Sequence, residues 1–295
     1  MMTPTTHFAT IFQARNATPE QLAMEIARIA EPGLDVDGQL AQLDELAGYV
    51  QGELAASNAT GALESSAEVF LRIVTQQLDF HGDQENYHDP ANSLLPAVLR
   101  RRMGLPIMLC LVCIAIGRRI GQEIIGLGFP NHFLVLYRSR DGDIVLDPFL
   151  GITLAPHEVE RHLARMIGRP VQLPPDAWRA QTAQEMALRI LHNLRNAYLN
   201  AKDLTMVVRV LDYLVAVRGD ESQYWRERGL IHLSEQRWIE AHYDLRRYLL
   251  RVGLLPAGVQ AAEAKASSQV TSANQGDKRV LEAYKEASVM LSRVN

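Results

Sequence analysis

Apolar positions recur at helical spacing through the first hundred residues. Thr18-Pro19-Glu20-Gln21 reads as an N-cap, a proline at the first helical position and a glutamine that returns to the cap. The helix it opens is predicted to run to about Glu31, where Pro32-Gly33 stops it. A second helix follows Asp37, with Leu40, Leu43, Leu46, Ala47 and Val50 along one face. A third covers roughly 63–78 through Val69, Phe70, Ile73, Val74 and Leu78. Ser93 to Met103 predicts another, capped by Asn92 or Ser93 and closed by Gly104. Pro106 then starts a helix that is apolar on every side, from Ile107 to Ile116, and such a helix must lie in a core. It ends near Arg118-Arg119. Residues 1–17 carry no period and predict a flexible arm.

Beyond Gly121 the pattern changes to that of strands. Ile124 to Leu127 and His132 to Tyr137 read as two of them, Asp141-Gly142 as a hairpin turn, and Ile144 to Leu146 as the returning strand. A short helix, Pro156 to Ile167, leads into a stretch with Pro170, Pro174 and Pro175, the expected domain boundary. From Thr182 to Leu250 the pattern is helical again, and it repeats at an offset of about 34 residues, the period of tetratricopeptide helix pairs. Leu191 aligns with Trp225, Leu199 with Leu233, Leu204 with Trp238, Leu211 with Leu245 and Leu214 with Tyr248. Gly229 and Ala241 stand where two such helices would approach closely, whereas the first copy has Arg195 and Val207 there. An Ala/Ser/Gln-rich run predicts a mobile linker over 251–276, and a last helix is predicted over 277–295.

These elements predict an α+β fold, helices packed on a small antiparallel sheet over 18–170, followed by an all-α, tetratricopeptide-like region over 176–250. Hydrophobic residues at 47% and charged residues at 22% are ordinary for a globular protein. A net charge of −4 gives no electrostatic case for nucleic acid. The basic runs Arg100-Arg101-Arg102 and Arg118-Arg119 lie at helix C-termini, where cations complement the dipole. Two cysteines are too few for a disulfide framework, no secretory signal is visible, and the longest apolar run is too short to span a bilayer. A cytoplasmic protein with no membrane partner is expected.

Three short strings carry the chemistry: Met103-Gly104-Leu105-Pro106-Ile107, Pro130-Asn131-His132 and Leu146-Asp147-Pro148. If the hairpin centres on 139–142, His132 and Asp147 share a face as direct or diagonal cross-strand neighbours. A carboxylate on one imidazole nitrogen fixes the tautomer and frees the other nitrogen as a base. A thiol beginning the buried helix would complete a Cys-His-Asp triad. That position holds Pro106 followed by Ile107, and neither can attack a carbonyl.

The strings Tyr87-His88-Asp89-Pro90-Ala91-Asn92-Ser93, Arg101-Arg102-Met103-Gly104-Leu105-Pro106-Ile107, Gly126-Leu127-Gly128-Phe129-Pro130-Asn131-His132-Phe133-Leu134-Val135 and Asp147-Pro148-Phe149 resemble the SirB-type family. That family joins a transglutaminase-like, papain-related domain to tetratricopeptide-like repeats, and the resemblance spans about residues 20–250. It implies that His132 and Asp147 stand at the catalytic histidine and aspartate positions. It also implies a cleft bounded by Asn92, Ser93, Gly104, Pro106, Ile107 and Asn131.

Cys110 lies one turn beyond Ile107, past the free amides of the helix start, so it is a weak candidate nucleophile. Both Cys110 and Cys113 read first as core packing. His81, Asp83, Glu85, His88 and Asp89 form a polar cluster whose spacing fits no recognised metal site, and no metal or other cofactor is expected. The leading expectation is a non-catalytic module that binds a protein or peptide through its repeats and its remnant cleft. The alternative is an amidase, protease or transglutaminase acting through His132 and Asp147, with or without Cys110.

Overall fold

The computed structural model describes residues 3–59, 64–139, 142–255 and 275–294. The chain resolves into two compact units, Met1–Lys202 and Asp203–Asn295.

The first unit opens with α1 (Pro4–Gln13) and α2 (Pro19–Ala27), the second begun by the capping box of Thr18 and Gln21. The segment expected to be a flexible arm is therefore helical. Thr3 caps α1, and Phe8 and Phe12, one turn apart, are both buried. Two apolar residues at a single i, i+4 spacing are too few to register as a period, yet they bury a face. Helix α3 (Val36–Ala59) and α4 (Ser66–Arg72) follow, and α4 continues as a π-helical turn, Ile73–Gln77. The two-residue strands β1 (His81–Gly82) and β2 (Met103–Gly104) pair in parallel, on either side of α5 (Leu95–Arg101). Helix α5 is closed by Arg102 in the left-handed conformation (φ 60°) and not by Gly104, which is drawn into β2.

Helix α6 (Pro106–Arg119) is the core helix, buried continuously from Pro106 to Cys113. It packs on β3 (Ile124–Phe129) and β4 (His132–Tyr137). The approach is possible because Gly126 has no side chain: a Cβ there would lie 2.8 Å from the Phe133 ring and 3.3 Å from Ile114. Strands β5 (Ile144–Asp147) and β6 (Ile152–Leu154) complete an antiparallel sheet in the order β3-β4-β5-β6. On the sheet's other face Leu127, Leu134, Leu136 and Val145 pack with Val159 and Leu163 of α7 (Val159–Ile167). Both faces of β4 are thus covered, which is why all six of its residues are buried.

The proline-rich stretch after α7 is held against the sheet and does not end the unit. Val171, Leu173 and Trp178 pack on the sheet core, and the Gln181 amide donates to the Gly126 carbonyl at 2.9 Å. Helix α8 (Ala183–Asn200) then packs on α2 and belongs to the first unit, so the division falls after Lys202. The basic pair at the end of α6 also does more than solvate a terminus. Arg118 and Arg119 both bond the carboxylate of Glu20, a wholly buried residue of α2. Likewise Arg101 bonds buried Asp83 at 3.2 Å.

The second unit contains α9 (Leu204–Val217), α10 (Ser222–Ser234), α11 (Trp238–Arg251) and α12 (Gln275–Val294). Helices α10 and α11 meet closely at Gly229, where a Cβ would lie 2.8 Å from Leu245 and 3.0 Å from Asp244. Arg228 bridges Asp212 of α9 and Asp244 of α11 at 2.7–2.9 Å. Of the expected mobile linker, residues 256–274 lie outside the described residues.

Candidate functional site

The site begins at a two-residue hairpin turn. Phe129 pairs with His132, leaving Pro130 and Asn131 to reverse the chain. Proline supplies a fixed negative φ, and Asn131 takes the left-handed conformation (φ 57°), which asparagine tolerates better than most residues. His132 is thereby fixed as the first residue of β4. The register of β4 with β5, in which Val135 faces Leu146, sets Asp147 beside Leu134 when carried one step further. His132 and Asp147 are then diagonal neighbours on one face, and His132 Nε2 lies 2.8 Å from Asp147 Oδ2.

Asp147 is buried, and all of its acceptor capacity is engaged. Its Oδ1 accepts the backbone amides of Phe149 at 3.1 Å and Leu150 at 3.2 Å, an Asx-type turn that ends β5. Its Oδ2 is shared between His132 and His162 of α7, whose Nε2 lies 3.1 Å away. Burial pushes the Asp147 carboxyl up, but the hydrogen bond and charge of His132, the Leu150 amide and His162 outweigh it and hold the group below the usual aspartate value. With Nε2 of His132 committed to the carboxylate, Nδ1 is the ring nitrogen left for a ligand. His132, Asp147 and His162 bring three ligand atoms within 4.8 Å of one another, the one such group among the described residues. Because each carboxylate oxygen already accepts two hydrogen bonds, the cluster is satisfied as a hydrogen-bonded unit without an ion.

In front of His132 lies a cavity of about 270 Å³, lined by Tyr87, Pro106, Ile107, Asn131, His132, Phe133, Arg189 and Asn193. Four of the residues singled out in the sequence meet here: Pro106, Ile107, Asn131 and His132. Asp147 stands behind His132, out of the lining. Asn92, Ser93 and Gly104 are elsewhere. Asn92 Nδ2 bonds buried Asp83 at 3.1 Å and the Asn86 carbonyl at 2.8 Å, and its own carbonyl accepts the Leu105 amide just before α6. Ser93 is buried beside it, and Gly104 leaves room for Val98, 2.8 Å from where a Cβ would project. These three build the approach to α6. Asp83 ties the polar loop together by accepting from Asn86, Asn92 and Arg101.

Cys110 is wholly buried, and its Sγ donates to the Phe133 carbonyl at 3.3 Å. Burial, with Cys113 and Asp147 nearby, pushes its thiol well above the ordinary value, and burial pushes Cys113 to about 12. Neither is an activated thiolate.

Sequence reasoning missed His162, Arg189 and Asn193, and gave Tyr87 no role of its own. Arg189 is fixed to the hairpin: its Nη2 donates to the carbonyls of Phe129 at 3.1 Å and His132 at 2.8 Å, and its guanidinium sits over the Phe133 ring. The signal lies in α8, an arginine on a helix whose sequence matches the first half of a repeat. His162 stood in a short amphipathic helix with no motif around it.

A family model described as the transglutaminase-like superfamily matches residues 38–192, a span that covers the cavity lining except for Asn193. A UPF0162 protein of Xylella fastidiosa is 34% identical over 184 residues, 60% of this chain and 65% of the relative. A UPF0162 protein of Vibrio cholerae is 31% identical over 170 residues, 57% of this chain and 63% of that protein. Protein SirB1 of Salmonella typhimurium is 23% identical over 212 residues, 72% of this chain and 77% of SirB1. The match thus spans somewhat under two thirds of the length of the UPF0162 relatives. No solved structure matches the chain.

Proposed function

We propose, for a chain that belongs to the transglutaminase-like superfamily and is related to SirB1 and the UPF0162 proteins, that the first unit is a non-catalytic binding module. Its cleft holds a peptide or acyl group beside His132 and does not cleave it. The observation that carries this reading is the pairing of Pro106 and Ile107 with His132 in one cavity, where acyl transfer needs a nucleophile. Cys110 cannot stand in, because it is buried and its proton is engaged by the Phe133 carbonyl.

The second unit is read as a tetratricopeptide-like surface for a protein partner. In support, Ile239 and Tyr243 are exposed beside a 390 Å³ cavity of that unit. A cytoplasmic location fits two unpaired cysteines, and none of the described helices is long and apolar enough to cross a membrane.

The test is turnover. Full-length protein is incubated with a glutamine-containing peptide, with and without a primary amine, and released ammonia, cleaved peptide and new amide are followed. No product above that of heat-inactivated protein is expected. Product that forms with wild type and disappears with His132→Ala overturns the reading and restores the histidine-dependent enzyme, whose remaining support is the intact His132–Asp147 hydrogen bond.

A further inference from the structure

The cavity beside His132 contains a cation without a counter-ion. Arg189 lines it, and no carboxylate pairs with Arg189 among the described residues. Arg228 of the second unit, comparably enclosed, is flanked by Asp212 and Asp244. A cation drawn partly out of water costs free energy that a nearby anion offsets. Burial holds the Arg189 guanidinium below the usual arginine value, with Tyr87 and Cys110 opposing that shift.

Arg189 is also held in place. The two carbonyl bonds to Phe129 and His132 tie one terminal nitrogen to the hairpin, and the Phe133 ring supports the guanidinium at 5.4 Å. A side chain already immobilised loses less entropy when it captures a ligand. Its remaining nitrogens donate to no described acceptor, and a guanidinium fork matches the two oxygens of a carboxylate. Of the other polar lining groups, Tyr87, Asn131 and Asn193 can donate, and no acidic residue joins them. At about 270 Å³ the space is just below the size range of drug-like ligand sites, of the order of 300 Å³ upward, so it suits a small molecule or the end of a chain.

We propose that this cavity recognises a carboxylate, with Arg189 as the anion-binding residue and Tyr87 and Asn193 as neighbouring donors. The ligand is a free carboxylic acid or the C-terminus of a peptide. This inference rests on the binding reading above and names its ligand chemistry.

Ligand-observed saturation-transfer NMR on the full-length protein tests it, using three probes: acetate, an N-acetylated randomised tetrapeptide pool with a free C-terminus, and the same pool amidated. The free-acid pool is expected to bind at least about tenfold more tightly than the amide, since a charge-assisted pair is replaced by a neutral contact. Arg189→Gln is expected to abolish that preference. Tyr87→Phe, at a more exposed position, is expected to reduce it without touching the Arg189–hairpin bonds, and serves if Arg189→Gln fails to fold. Acetate that competes as well as the peptide acid identifies a small free acid as the ligand; a peptide acid that far outbinds acetate identifies a chain terminus. Equal binding of acid and amide overturns the carboxylate proposal while leaving the binding module intact. Absence of binding by all three probes overturns both.

Discussion

The thiol of Cys110 donates to the main-chain carbonyl of Phe133 at 3.3 Å, one residue beyond the histidine it would need to serve. The bond holds the sulfur against the backbone of β4, inside the α6–sheet interface. Site-resolved alkylation with iodoacetamide between pH 5 and 9 is therefore expected to leave Cys110 and Cys113 unlabelled in the native protein, with both labelled rapidly in denaturant. Labelling of Cys110 near neutral pH that His132→Ala removes would contradict this.

Asp147 joins β5, β4 and α7 through four hydrogen bonds. Replacing it by alanine leaves two histidines and two amides without their acceptor. A loss of about 3–5 kcal/mol in urea unfolding is expected, since several buried donors lose their acceptor at once and each costs about 1–3 kcal/mol. His162→Ala removes one of the four bonds, and about 1–3 kcal/mol is expected there.

The same carboxylate contributes to acid sensitivity. Its folded pKa lies below the ordinary 3.8, so its stabilisation is complete above that value and disappears as pH falls through the lower, folded one. Glu185, bonded to Arg179 and to the Thr182 cap of α8, behaves alike: its pKa drops from 4.5 to about 2, chiefly through the Arg179 hydrogen bond. Stability measured by urea titration is expected to fall between pH 4.5 and about 2, and Glu185→Gln is expected to flatten part of that limb. An unchanged slope in the variant would count against the assignment.

Glu20 is wholly buried between Arg118 and Arg119. Glu20→Ala is expected to destabilise the first unit by about 3 kcal/mol, at the lower end for a broken buried pair because Arg118 is half in water. Chemical denaturation reads the change directly.

Much of the first unit was legible in its sequence, and the reasons are local. Thr18-Pro19-Glu20-Gln21 specifies a helix start in four residues, and a run apolar on every side, like Ile107 to Ile116, can only be a core helix. The turn signal Asp141-Gly142 between two strand-like runs is why His132 and Asp147 could be anticipated as direct or diagonal neighbours on one face. What escaped depends on long-range contact. Phe8 and Phe12 bury α1 only because other elements cover them. His162 reaches Asp147 from a separate helix, and Arg189 reaches the hairpin from 57 residues away in sequence. Asn92, Ser93 and Gly104 carried a family signature, yet they shape the approach to α6 and lie outside the cavity lining. A motif records that residues are needed; it does not say on which side of a wall they stand.

In the second unit α10 approaches α11 closely at Gly229. Gly229→Val is expected to overpack that contact at a cost of about 1–3 kcal/mol. Thermal unfolding should register it, and an undiminished melting temperature would show that the helices can separate there without loss.

The position of α8 has a practical corollary for anyone dissecting this protein. A fragment cut in the proline-rich stretch would keep His132 and Asp147 in sequence and lose the arginine that braces their hairpin from outside. It would also strip α2 of a packing partner and expose the face beneath. Such a fragment would be a poor guide to what the cleft holds, and inactivity on its part would speak of a missing wall. The compact unit that contains the whole pocket lining ends at Lys202, well past where the prolines invite the cut.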